Sequence, residues 1–174
     1  MVSSDAPDGA RASGSGVPDA DADAGGAAGE RIIVLDRWAT IVFAVVAVAA
    51  AVAPDPLEFV AVPVFLALFV LGCGAFLWAY AAAISRSRYD EVSVGGAFFL
   101  AGDVAPPAVA RMFRILLAVQ VVVAVAAAAV RPFTALAFAV LVPVVGLGLM
   151  ALWGAYHGRF PPRGAPDEEA RSAQ

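Results

Sequence analysis

Only two charged side chains, Asp55 and Glu58, interrupt residues 38–84, and only Arg111, Arg114 and Arg131 interrupt residues 104–158. Stretches this long and this apolar exceed what the polar remainder of a 174-residue chain is able to cover. The chain is 61% hydrophobic, where a soluble domain has about 45–50%. A soluble globular domain is therefore excluded. In lipid every backbone N–H and C=O must be paired internally, so the expected fold is all-α: a polytopic bundle of four transmembrane helices arranged as two αα-hairpins.

Turn and flank signals divide the chain. Residues 1–30 are rich in Asp, Ala, Gly, Ser and Pro with almost no large apolar side chain, and read as a disordered acidic tail. They hold no apolar run of the length a secretory signal needs, so the first span is expected to serve as the insertion signal. Spans are expected at about 34–53, 58–84, 108–130 and 133–157, within a membrane domain 31–163, and residues 164–174 form a polar C-terminal tail. Pro54-Asp55-Pro56 and Arg131-Pro132 are expected to make the two tight turns. Asp36 and Arg37 are expected at headgroup level, beside Trp38 as an interface anchor. Pro63 and Pro143 are expected to free the carbonyls of Phe59 and Ala139.

The loop 85–107 is the one substantial connection. Its centre, residues 92–102, reads VSVGGAFFLAG, apolar but too short to cross as a helix. It is expected to lie in the interface, to re-enter, or to pack on the bundle. Basic residues near the membrane set the orientation. Nine arginines lie in the N-terminal flank, the loop with the start of the third span, and the C-terminal flank, against Arg131 alone in the turns. The positive-inside rule then places both termini and the loop in the cytoplasm of a plasma-membrane protein.

The hairpins share a pattern. Gly72-x-Gly74 precedes Trp78-x-Tyr80, and Gly146-x-Gly148 precedes Trp153-x-x-Tyr156. This fits a parallel repeat, although any two apolar hairpins come to share turn prolines, small residues and aromatic belts by membrane physics alone.

Chemistry is scarce. Cys73 has no partner for a disulfide, and His157 as the only histidine builds no His/Cys zinc cluster. There is no nucleophile-base pairing, phosphate loop or metal motif, so no catalytic, cofactor or metal residues are assigned and no enzyme is expected. No ionisable group is expected at mid-depth, where burial costs at least about 2.5–3.5 kcal/mol. Gln120 is the one uncharged polar residue of note in the third span, able to bond across helices. The candidate contacts are Arg86, Arg88, Arg111 and Arg114, suited to anionic lipid headgroups or to plain topology determination, and Phe98 with Phe99, suited to a partner helix or the inner leaflet.

The run RSRYDEVSVGGAFFLAG from Arg86, with LVP from Leu141 and LWGAYHG from Leu152, resembles small four-span membrane proteins of high-GC actinobacteria that lack an assigned function. An all-arginine, acidic composition suits a haloarchaeal host as well. The resemblance implies a four-span fold and brings no catalytic or binding residues. The leading expectation is a non-enzymatic accessory or assembly factor acting through helix packing and the cytoplasmic loop. The alternative is a small channel or transporter formed by oligomerisation and lined by the glycine-rich stretches of the second and fourth spans. The bilayer is the expected partner, with a membrane protein or a second copy beside it, and no nucleic acid.

Overall fold

The computed structural model describes residues 20–130 and 132–161. Most of the expected N-terminal tail, the tail 164–174 and Arg131 lie outside the described residues. Five α-helices follow in order: α1 (Ala20–Val52), α2 (Pro54–Arg86), the short α3 (Val94–Phe99), α4 (Pro107–Val130) and α5 (Pro143–His157), with 3₁₀ segments at Gly102–Val104 and Ala135–Leu141. Four stretches are long and apolar enough to cross a membrane: Gly26–Val52, Phe59–Arg86, Pro107–Val130 and Leu136–His157.

Helix α1 starts earlier than its expected span, so residues 20–30 are helical rather than part of a tail. Tertiary packing explains the extension. A Cβ on Gly29 would lie 3.1 Å from the Trp153 indole nitrogen and 3.2 Å from the His157 ring, so the bare backbone docks against the end of α5. At the first reversal Pro54-Asp55-Pro56 is not a separate turn but the opening of α2, with Ala53 as N-cap. Proline suits a first helical turn, where its missing N–H would have no partner.

The fourth span is not one continuous α-helix over 133–157. Thr134 caps a seven-residue 3₁₀ segment, and α5 begins only at Pro143. The Ala139 carbonyl expected to be freed by Pro143 is taken by the Val142 N–H at 3.0 Å, the i to i+3 pairing that defines the tighter helix.

Helix α5 is the centre of the bundle. In its span 56% of the apolar window is buried, against 17–28% in the other three. Small residues let the backbones close in. A Cβ on Gly72 would fall 2.5 Å from the Val145 nitrogen, and one on Gly148 would strike the Gly72 carbonyl. Trp78 donates to the Tyr156 hydroxyl at 2.7 Å and Arg86 reaches the Ala155 carbonyl, so α2 and α5 pair in parallel along their length. The main core joins Phe43, Phe65, Leu136, Val142 and Leu149, with Phe43 and Phe65 edge to face at 5.5 Å. Trp153 turns inward, 6% exposed, against Phe113 and Met150. Outward faces are apolar, as lipid requires: Val45, Val70, Leu77, Val122 and Phe133 are all exposed.

Candidate functional site

Two features stand apart from helix packing. The first is a polar bridge inside the bundle. Helix α1 buries Asp36, Ala39, Thr40, Phe43, Ala47 and Ala50, and α4 buries Ala110, Phe113, Gln120, Ala124 and Ala127. Both sets follow a helical repeat of three, four or seven residues along one face, the narrow seam of closely packed helices, and Asp36, Thr40 and Gln120 fall in phase with it. The Gln120 side-chain amide donates to Asp36 Oδ1 at 3.1 Å and to Thr40 Oγ1 at 2.7 Å. The Thr40 hydroxyl donates to the Asp36 main-chain carbonyl at 2.8 Å. Asp36 and Gln120 are both 0% exposed.

Two expectations are corrected here. Asp36 does not share the outer face of α1 with Arg37 and Trp38; it points into the bundle while they are exposed. Its partner Gln120 lies near the middle of α4, about 20 Å along the helix from Pro107 and about 15 Å from Val130. The bundle therefore does bury an ionisable group between its spans. The signal in the sequence was phase: Asp36 lies seven residues before Phe43, and Gln120 seven after Phe113. Helix α5 makes room for the bridge, since a Cβ on Gly146 would lie 2.5 Å from Gln120 Oε1.

The second feature is the loop segment 92–102. Ser93 caps α3 by accepting from the Gly96 N–H at 3.0 Å. The helix closes at Leu100, whose left-handed backbone (φ 49°) directs its N–H to the Gly95 carbonyl. The Leu100 carbonyl accepts from Arg114 at 2.8 Å, and the Leu100 side chain is wholly buried. The turn at the end of α3 is thus closed by main-chain bonds to Gly95 and by the Arg114 side chain, the kind of pairing that irregular backbone needs inside a membrane protein.

It also reaches inward. The Phe98 ring lies 5.0 Å from that of Phe76, ten residues up α2 from Arg86, or about 15 Å along the helix axis. The Ala97 carbonyl is pressed onto Gly154 of α5 so closely that a Cβ there would overlap it. Both ends of the loop return to the C-terminal segment: Glu91 N–H bonds the Pro161 carbonyl and Arg159 N–H the Val104 carbonyl, each at 2.9 Å. The start of α1, this loop and the end of α5 therefore share one end of the bundle.

The four candidate arginines do not form one cluster. Arg86 donates to the carbonyls of Ala155 (2.9 Å) and Gly158 (3.2 Å), pairs with Asp90 at 3.3 Å, and stacks over Phe160. Arg114 holds Leu100. Arg88 and Arg111 are exposed. Phe98 is half-buried, while Phe99, 53% exposed, lines a cleft of about 450 Å³ with Leu117, Val121, Val122 and Met150 of α4 and α5. Among the described residues no group of three His, Cys, Asp or Glu side chains is placed to hold a metal.

Fold and surface together define a four-span helical, multi-pass membrane protein. No protein-family model, curated protein or solved structure matches the chain.

Proposed function

We propose that this protein is a non-enzymatic accessory or assembly factor of the plasma membrane, whose contact surface is the re-entrant segment and the cleft between it and α4. The observation that carries the reading is the contrast within 92–102. Leu100, Ala97 and Phe98 are committed to the bundle, whereas Phe99 is left half in the open beside Leu117, Val121 and Val122. A rigid apolar ledge of this kind suits a transmembrane helix of another protein. The arginine bias supports a cytoplasmic position for the shared end of the bundle, and the exposed Arg88 and Arg111 are suited to anionic headgroups there.

The test is extraction of tagged protein into lipid nanodiscs, with particle mass and identification of what co-purifies. The expected result is a foreign membrane protein in fixed stoichiometry, lost in Phe99→Ser while the particle remains folded. A bare homo-oligomer unchanged by Phe99→Ser would overturn the reading and favour the channel alternative. That alternative has to reckon with glycines already occupied within one chain: Gly72 and Gly148 face each other's helices and Gly146 faces Gln120.

A further inference from the structure

The hydrogen-bond inventory of the buried bridge does not balance. An amide nitrogen carries two protons and a hydroxyl one. Both protons of Gln120 Nε2 are spent, on Asp36 Oδ1 and Thr40 Oγ1, and the Thr40 proton is spent on the Asp36 main-chain carbonyl. Two acceptors remain, Asp36 Oδ2 and Gln120 Oε1, each buried and without a hydrogen-bond partner among the described residues. The carboxyl group also lacks a counter-charge. The sole salt bridge among the described residues joins Arg86 to Asp90. Of the basic groups on the packed helices, Arg31, Arg37 and Arg111 are exposed, Arg86 and Arg114 bond main-chain carbonyls, and His157 is stacked on Trp153. What the cluster lacks is a neutralising positive charge at the Asp36 carboxylate and hydrogen-bond donors for its two open oxygens.

We propose that Asp36, Thr40 and Gln120 form a site for one small monovalent positive charge, a proton or a sodium ion, enclosed among α1, α4 and α5. A proton on Asp36 Oδ2 neutralises the carboxylate and turns that oxygen into a donor; a sodium ion would neutralise it as a ligand of the carboxylate, oxygen being the donor a hard cation prefers. Gly146 belongs to the site because any side chain there would displace Gln120 Oε1.

Infrared difference spectra of the full chain in nanodiscs, recorded across pH and with sodium exchanged for choline, test this. If the charge is a proton, a protonated-carboxyl band is present and is lost in Asp36→Asn. If it is sodium, a carboxylate band shifts when choline replaces sodium, and about one sodium ion retained per chain is lost in the same variant. Should Asp36→Asn fail to assemble, Thr40→Val assigns the band instead, because it keeps the carboxyl and releases one Gln120 N–H, moving the band. A folded wild-type protein whose spectrum shows no protonated aspartic acid and no carboxylate band that responds to sodium overturns the proposal.

Discussion

Gln120 and Asp36 depend on each other in a way that deletion exposes. Replacing Gln120 by Leu strips Asp36 Oδ1 and Thr40 of their shared donor, whereas replacing Asp36 and Gln120 together by Leu removes both halves of the bridge. Breaking one side of a buried polar pair costs more than removing the pair. Thermal or denaturant unfolding in nanodiscs is therefore expected to show the Asp36→Leu/Gln120→Leu double variant less destabilised than the sum of the singles, with a coupling of about 1 kcal/mol. Gly146→Ala is the complementary test at the same site. Its Cβ would fall 2.5 Å from Gln120 Oε1, and forcing a methyl into a packed interior costs roughly 1–3 kcal/mol, so its unfolding midpoint is expected to fall. This bridge was the part of the site least legible beforehand. Hydropathy averages over a window and records that Asp36 sits near the start of an apolar run; it does not record which way the residue points. Only its phase with Phe43, Ala47 and Ala50, read against the phase of Gln120 on another helix, turns it inward.

Among the elements, α3 is held by contacts that can be withdrawn one at a time. Gly154 is the seat, Arg114 the tie at Leu100, and Ser93 the cap. Ala97 is 1% exposed, so Ala97→Cys is expected to resist a water-soluble maleimide, and to become reactive when Gly154→Val is added and the seat is filled. Arg114→Ala is expected to raise the same reactivity less, because Gly154 still seats the helix. The sequence did show an apolar segment too short to span, and it left three placements open. Close backbone approach at Gly154 and a polar tie from a helix beginning five residues past the segment pack it on the bundle, and composition reveals neither. The break in the fourth span was half visible, since Pro143 was an evident interruption. That Ala135–Leu141 tightens into a 3₁₀ segment follows from Thr134 accepting from the Leu136 and Ala137 N–H groups and from the Val142 N–H bonding the Ala139 carbonyl.

At the scale of the molecule, the four spans and their two hairpins were legible because each long apolar run ends in proline, arginine or an aromatic pair. One end of the bundle gathers the start of α1, the loop and the end of α5, and the other exposes Phe133 completely. Cysteines introduced by Tyr89→Cys and Arg159→Cys are thus expected to be labelled from one side of a sealed membrane, and one from Phe133→Cys only from the opposite side. Labelling of all three from one side would break the four-span topology. The central position of α5 has a further meaning in time. A ribosome delivers residues in order, and the helix that fills the middle of this bundle leaves it after α1, α2 and α4. Until Gly148 reaches Gly72 and Gly146 receives Gln120, three spans stand in the bilayer around a gap, with the Asp36 bridge open along one side. Nascent chains arrested before Pro143 are expected to be recognised as unfinished and degraded, while those arrested far enough beyond His157 for α5 to emerge from the ribosome persist, because α5 completes the packing of the other three spans.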